Sequence, residues 1–299
     1  MGHLFDHHVI VDWSANNSPK RGADSIWIYR CRVGQAPDCL NMPTRAQAVA
    51  WIVDGIGEAM SDGKRLLIGF DFGFGYPAGA AAVMSDGVAW RDVWREIAAR
   101  VEDQEDNRSN RFDVGSHFNA VFEAAHGERP FWGHPAAHAG RYAHLETKRP
   151  LYNAVSEKRL VEECFASAQP MWKLAYTGSV GSQSLLGIAR LENLRQSMSE
   201  AIAVWPFETA FDADFSKPVT LCEVYPSMIP VRPLAAEIKD AAQVRTLAEA
   251  FARIDRSGHL RTLLSAPKDL SEAHREQVLR EEGWIVGARH DLSALAEAA

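Results

Sequence analysis

The sequence is poor in cysteine, with four in 299 residues, and none of them forms a C-x-x-C pair. A chain of this length buries a large core without disulfides, so we expect reduced thiols and a cytoplasmic location. The longest apolar runs, such as Leu66–Phe70, are much too short to span a bilayer. The first eight residues lack the apolar segment of a secretory signal. These absences predict a soluble protein with no membrane partner.

A basic surface is missing as well. The chain has 32 Lys and Arg against 39 Asp and Glu, which gives a net charge of −7. Proteins that bind long nucleic acids need clustered cations, because phosphate contacts supply most of their affinity. Basic residues cluster here only as scattered pairs: Lys20-Arg21, Lys148-Arg149 and Lys158-Arg159. The charge pattern therefore favours a small phosphorylated molecule or a short nucleic acid as partner over a long duplex, and it leaves the oligomeric state open.

The first 80 residues have the pattern of an α/β domain. The run His8–Val11 predicts a short strand that stops at Asp12, and residues 25–33 alternate as in a half-buried strand. Thr44 is placed as the N-cap of an amphipathic helix. The continuous apolar run over residues 65–70 is typical of a strand that is buried on both faces, and it stops at Asp71.

The remainder of the chain is more helical. We expect helices over residues 90–101 and 183–203, a strand over 219–225, and helices near 241–254, 271–282 and 290–298. The segment 107–150, which is rich in histidine, aromatic residues, glycine and proline, carries no readable periodicity. No repeat, low-complexity tract or linker divides the chain. We therefore predict one α/β domain over residues 1–299, with a large, mostly helical insertion at about 84–218.

Carboxylates lie at or near the ends of three of the predicted strands: Asp12, Asp71 and Glu223. Ligands of open α/β sheets bind outside the carboxyl ends of the strands, where such acids can converge. Converging carboxylates repel one another unless a cation neutralises them, and hard oxygen ligands select Mg²⁺ or Mn²⁺. Asp291, near the start of the last predicted helix, can close the cluster from the side. The alternative is that each Asp only caps a turn.

Several motifs together carry a resemblance to a known family. They are V-D-W-S at 11–14, I-G-F-D-F-G-F-G-Y-P at 68–77, E-V-Y-P-S at 223–227 and E-G-W-I-V-G-A-R-H-D-L-S-A-L-A at 282–296. In this order they resemble the DUF429 family, whose members are described as predicted ribonuclease H-like nucleases. The order of predicted elements is also similar to the ribonuclease H-like fold, a mixed sheet flanked by helices.

The resemblance implies a metal site formed by Asp12, Asp71, Glu223 and Asp291, with Mg²⁺ or Mn²⁺ as cofactor. Such a site suits a two-metal phosphodiesterase or nuclease-like hydrolase. Enzymes of this fold commonly add a Glu from the first helix, for which this chain offers Asp54 or Glu58 without a basis for choice. A non-catalytic module that binds a small ligand or a protein partner is the alternative. An actin-like phosphotransferase requires a glycine-rich loop after the first strand, and residues 12–16 contain no glycine.

A second group of residues is placed on the substrate side. Glycines and serines precede the helix over 183–203, and backbone N–H groups at such a helix start can bind an anion. The residues concerned are Gly178, Ser179, Gly181 and Ser182, with Lys173 upstream as an assisting cation. Trp13 and Tyr225 follow candidate acids and can stack on a base or sugar. A flexible loop with a serine cap and simple core packing are the alternatives for these two sets.

Two other motifs are incomplete and give weaker evidence for a function. Asp71-Phe72-Gly73 matches the metal-binding DFG of protein kinases, but no H-R-D loop or V-A-I-K lysine accompanies it. His134 and His138 have the i, i+4 spacing of a zinc pair, without the glutamate of H-E-x-x-H and with a proline between them. The histidines of segment 117–144 are better suited to line a polar cleft.

Overall fold

The computed structural model describes residues 2–211 and 215–298. One mixed sheet forms its centre, in the spatial order β3-β2-β1-β4-β6-β5. The strands are β1 (His7–Asp12), β2 (Ile26–Arg32), β3 (Asp38–Met42), β4 (Leu66–Phe70), β5 (Ile202–Val204) and β6 (Val219–Glu223). The first three pair antiparallel as a meander, whereas β1, β4, β6 and β5 pair parallel.

Helices pack on both faces of this sheet. They are α1 (Arg45–Ser61), α2 (Ala81–Met84), α3 (Trp90–Arg100), α4 (Arg111–His126), α5 (Val180–Ser197), α6 (Lys239–Arg256), α7 (Leu260–Leu263), α8 (Glu272–Gln277) and α9 (Leu292–Ala298). One apolar core lies between the sheet and α1, α3, α4 and α5, and the other lies under α6 and α9. Strand alternation divides the sheet between them, since Val9 and Val11 enter the first core and Ile10 the second.

The predictions for the first 80 residues are confirmed. Strands β1, β2 and β4 form where the patterns placed them, and Thr44 Oγ1 accepts the backbone N–H of Gln47 at 3.2 Å as the N-cap of α1. The loop after β4 then packs closely against the segment that follows α8. A Cβ on Gly75 would lie 2.2 Å from the carbonyl oxygen of Glu281, so only glycine fits at this contact.

The structure corrects two expectations in the segment 84–218. The stretch without readable periodicity contains α4, a helix of 16 residues that begins at Arg111. The helix predicted over 183–203 ends at Ser197, and Ile202–Val204 forms the edge strand β5 instead. This short run contains the β-branched Ile202 and Val204, is buried and pairs with β6, so tertiary pairing overrides the helical periodicity that precedes it. None of the helices in the described ranges is long and apolar enough to cross a membrane.

Candidate active site

Asp12 and Asp71 lie side by side at the carboxyl ends of two parallel strands. Val11 of β1 is in register with Phe70 of β4, so the next residue of each strand reaches the same edge of the sheet. The two carboxyl groups are within hydrogen-bonding distance of each other. The backbone N–H of Trp13 donates to Asp71 Oδ1 at 2.7 Å and holds that side chain in place. We refer to this pair as the aspartate dyad.

The surroundings of the dyad favour retention of a proton. Burial raises the pKa of Asp12 well above its ordinary value, and the negative charge of Asp71 adds to this effect. Burial also raises the pKa of Asp71 to about 6, although the hydrogen bond from the Trp13 N–H opposes the shift. Two carboxyls this close cannot both ionise without cost, so they share a proton or bind a cation in its place.

The dyad opens into a cleft with a volume of about 830 Å³. The wall is formed by the loop after β1, the segment that enters α5, the turn after β6 and the first turn of α6. Among the described residues, the charged groups in this wall are four aspartates and one arginine: Asp12, Asp24, Asp71, Asp240 and Arg111. The cleft therefore has a strongly negative side around the dyad.

Asp240 is a cleft residue that sequence reasoning missed. It lies in the first turn of α6, and its Oδ2 accepts the backbone N–H of Asp24 at 2.7 Å. Its charge contributes to the raised pKa of both Asp12 and Asp71, which places it close to the dyad. The available signal was an acidic residue in the first turn of an amphipathic helix, a position that is common for reasons of helix stability alone.

Glu223 does not reach the dyad. It is in register with Phe70, one position before Asp71, and pleating directs its side chain toward the opposite face of the sheet. There it is buried and accepts hydrogen bonds from Arg159 Nη2 at 2.6 Å and Arg159 Nη1 at 2.8 Å. The backbone N–H of Phe74 also donates to it at 3.1 Å. The structure gives Glu223 an internal partner where the sequence predicted a metal.

The other predicted acids also lie outside the cleft. Asp291 is exposed and caps α9, where its Oδ1 accepts the backbone N–H of Ala294 at 3.0 Å. Asp54 and Glu58 are exposed on α1, and Glu58 pairs with Arg30 at 3.5 Å. Of the predicted carboxylates, the structure brings together Asp12 and Asp71. Across residues 2–211 and 215–298, no group of three or more His, Cys, Asp or Glu side chains is arranged to hold a metal.

The glycine-rich turn before α5 lies in the wall of the same cleft, with Gly178 and Ser179 facing it. The helix start nevertheless has few free donors. The backbone N–H of Gly181 donates to Lys173 O at 2.9 Å, and that of Ser182 donates to Ser179 O at 3.1 Å. The N–H groups of Gly181 and Ser182 are therefore occupied by carbonyl oxygens and are not free to bind an anion.

Lys173 is likewise tied to the turn itself. Its Nζ donates to Thr177 O at 2.6 Å and to Gln169 Oε1 at 3.1 Å, and it stacks over the ring of Trp132. It is not among the residues that line the cleft. Lys173 thus stabilises the turn by donating to Thr177 O and Gln169 Oε1. Within the described residues, no contact of Lys173 supports its predicted role as a cation that assists substrate binding.

The two aromatic candidates differ in environment. Trp13 is buried in the first core against Phe70 and Phe72, as the packing alternative predicted. Tyr225 lies in the cleft wall, where its hydroxyl is 2.7 Å from Ser167 Oγ and its ring packs against Phe165. Tyr225 therefore stays a candidate for contact with a ligand, whereas Trp13 contributes its backbone to the site.

The histidine-rich segment forms no zinc pair. His134 is buried, with Nε2 3.0 Å from Thr147 Oγ1 and Nδ1 3.0 Å from the Pro135 carbonyl. His138 lies in a short 3₁₀ turn and contacts the ring of Tyr142. Both nitrogens of His134 are engaged within the protein, so its role is structural.

Comparisons of the chain with family models, with curated proteins and with solved structures find no match. The resemblance to the DUF429 family therefore stays a hypothesis that depends on the four sequence motifs. The function is therefore inferred from the geometry of the cleft.

The raised pKa values predict a pH dependence of stability. A carboxyl whose folded pKa exceeds its unfolded value near 3.9 binds its proton more tightly in the folded state. This contribution is full at low pH and is lost as the pH rises through about 6, the pKa of Asp71. We expect the free energy of unfolding in EDTA, measured with urea, to fall between pH 4.5 and 7 more steeply in the wild type than in Asp12→Asn/Asp71→Asn. Parallel pH profiles for the two proteins would contradict the shared proton.

Proposed function

We propose that the protein is a divalent-metal-dependent hydrolase of phosphate esters or phosphodiesters, with the aspartate dyad as its metal-binding pair. The observation that carries this proposal is the contact between two carboxyls at the ends of adjacent parallel strands, open to a cleft of about 830 Å³. Sites at the carboxyl ends of such strands are where α/β proteins bind their ligands.

The donors fit Mg²⁺ or Mn²⁺. Magnesium commonly binds through one or two carboxylates, and water and substrate phosphate complete its shell. Asp12 and Asp71 provide two such carboxylates, and Asp24 and Asp240 add negative potential in the same cleft. A bound ion would polarise a phosphoryl oxygen and lower the pKa of a coordinated water.

The chain's own groups prepare the site for this chemistry. The Trp13 N–H fixes Asp71, and Gln183 Nε2 donates to the carbonyl oxygen of Trp13, so the loop after β1 is held at both its amide and its carbonyl. A fixed loop keeps the dyad oxygens in one arrangement, which reduces the cost of organising them when a ligand binds. Tyr225 and Ser179 place hydroxyl groups in the wall that can orient a polar substrate.

We further propose that the fold is ribonuclease H-like, with residues 84–218 as an insertion, and that the chain is a member of the DUF429 family. An antiparallel meander of three strands beside parallel strands supports this assignment, since the predicted order of elements led to the same fold. The four family-like motifs lie at the dyad, in the loop after β4, at the end of β6 and at the start of α9. Fold by itself does not determine activity, so the dyad remains the main support.

A non-catalytic binding module is the second candidate. It is favoured by the placement of Glu223 and Asp291, which leaves the dyad with two of the four acids that the nuclease hypothesis requires. Such a module would use the same cleft for a ligand and would show metal binding without turnover.

Hydrolysis and salt dependence together test the proposal. We expect Mn²⁺-dependent hydrolysis of bis(p-nitrophenyl) phosphate by the wild type. Binding of a fluorescent single-stranded oligonucleotide should be weak, with a salt slope equivalent to roughly one to three phosphate contacts, at about −0.7 per contact. The reason is the excess of acidic residues in the chain and in the cleft. Fluorescence anisotropy at several salt concentrations measures this slope.

The control is Asp12→Asn, which should lose turnover. Metal binding without hydrolysis of any phosphate ester would favour the binding module. Tight oligonucleotide binding with a steep salt slope would contradict the preference for small substrates.

A further inference from the structure

Arg111 is the one cationic residue among the described residues that line the cleft. It opens helix α4, which the sequence pattern did not reveal, and its side chain faces a wall otherwise charged by aspartates. A single arginine in such a cleft either forms an ion pair with a carboxylate of the protein or is available to bind an anionic ligand. Its contacts distinguish these two cases.

The guanidinium is held entirely by neutral groups. Its Nε donates to Ser182 Oγ at 3.1 Å, and its Nη1 donates to Asn17 Oδ1 at 3.0 Å and to Ser109 Oγ at 2.9 Å. The guanidinium also stacks 4.5 Å from the centre of the Phe112 ring. In the ranges that the structure describes, its Nη2 makes no hydrogen bond. The contacts therefore fix the plane of the guanidinium and leave part of its fork open to the cleft.

No carboxylate within residues 2–211 and 215–298 forms an ion pair with Arg111. The nearby Asp103 is already engaged by Arg45 at 2.6 Å and by Arg190 at 2.8 Å. Burial, together with the positive charge of Arg45, lowers the pKa of Arg111 to about 10. Arg111 thus has no ion-pair partner in the part of the chain that the structure describes.

Arg111 is half-buried, and the fully buried arginines of this fold have different partners. Arg45 pairs with Asp103, Arg159 pairs with Glu162 and Glu223, and Arg195 pairs with Glu208. Buried charges are normally paired in this way because an isolated charge is costly. Arg111 has no such ion pair with any described residue, and it faces the cleft, where a ligand can provide the counter-charge.

We propose that Arg111 binds an oxyanion group of the substrate, a phosphate or a carboxylate, at a subsite distinct from the dyad. This inference depends on the proposed function in one respect, because it takes the aspartate dyad as the place where the substrate reacts. The contacts of Nε and Nη1 leave the two N–H groups of Nη2 to donate to such an anion, in a plane that the protein fixes.

The loop after β1 limits the size of this substrate. Asn17, which holds Arg111, is five residues beyond Asp12, so their Cα atoms are separated by at most about 18 Å. The hydrogen bond between Gln183 and the Trp13 carbonyl further ties the first turn of α5 to the dyad loop, and Ser182 in that turn also holds Arg111. A small molecule with an anionic group at one end can therefore span the dyad and the arginine.

The test measures anion binding to the full chain in EDTA. Binding of inorganic phosphate is followed by ³¹P line broadening. Binding of malonate, which represents carboxylates, is measured by calorimetry. We expect Arg111→Gln to weaken anion binding about ten- to a hundredfold, the range for hydrogen bonds to charged groups. Arg111→Lys should retain part of the affinity, because it keeps the charge without the fixed guanidinium plane. Arg141→Gln is the matched control, since Arg141 also stacks on an aromatic ring but does not line the cleft.

Asp71→Asn separates this inference from the proposed function. Removing one negative charge from the cleft should leave phosphate affinity unchanged or tighter, even though metal binding is lost. A response to phosphate alone or to malonate alone identifies the anion and supports the subsite. Equal affinity in the wild type and Arg111→Gln, or no binding of either anion by a folded wild type, would overturn it.

Discussion

Replacing Asp71 by asparagine should lower the affinity for Mn²⁺ at least about a hundredfold. Loss of a residue that only supports a metal ligand costs about ten- to a hundredfold in affinity, and loss of a ligand itself should cost at least as much. Asparagine has nearly the same volume, and its amide oxygen can still accept the Trp13 N–H that now donates to Asp71 at 2.7 Å. The substitution therefore removes one charge from the dyad and keeps the loop. Isothermal titration calorimetry at pH 7, above the Asp71 pKa of about 6, measures the loss directly.

Two controls locate the effect. Asp24→Asn removes a carboxylate from the cleft wall whose side chain is 86 % exposed, so a severalfold change at most is expected. Asp291→Asn changes an exposed helix cap and should leave the affinity for Mn²⁺ unaltered. If Asp71→Asn binds Mn²⁺ as the wild type does, the dyad is not the metal-binding pair.

Removal of Arg159 should cause a large loss of stability. Arg159 is 1 % exposed and bridges two buried carboxylates, with Nε 2.8 Å from Glu162 and Nη2 2.6 Å from Glu223. Its Nη1 also donates to the carbonyl oxygen of Glu282 at 2.8 Å. Without the guanidinium, two like charges remain in the interior with no counter-ion. We expect Arg159→Met to lower the free energy of unfolding by about 3–5 kcal/mol, measured by urea denaturation.

The partners of Arg159 provide the decisive comparison. Neutralising both carboxylates in Arg159→Met/Glu162→Gln/Glu223→Gln should recover a substantial part of the loss, because no buried charge is then left unpaired. The exposed i, i+4 pair of Arg100 and Glu96 is the matched control, and Arg100→Met should cost no more than about 0.5 kcal/mol. A loss in Arg159→Met as small as that of the control would show that the triad does not hold the fold.

These two predictions also separate the acids that the sequence grouped together. Loss of Asp71 should affect the metal and leave the fold, whereas changes at Glu223 should affect the fold and leave the metal. The physical reason is the register of β4 and β6, which puts Glu223 opposite Phe70 and toward the buried Arg159.

What the sequence determined by itself was local. Alternating and continuous apolar runs located β1, β2 and β4; β1 ends at Asp12, and Asp71 directly follows β4. Because parallel neighbours bring their carboxyl ends to one edge, the strand pattern predicted that Asp12 and Asp71 can converge, and the pairing of β1 with β4 decided that they do.

Only the tertiary structure decided which other groups share the cleft. Arg159 and Glu223 are 64 residues apart, and no local pattern shows that one neutralises the other. Asp240 and Arg111 reach the cleft because α6 and α4 begin at its rim, a matter of helix packing. Side-chain direction also depends on strand register, which long-range pairing sets and the periodicity of one strand does not encode.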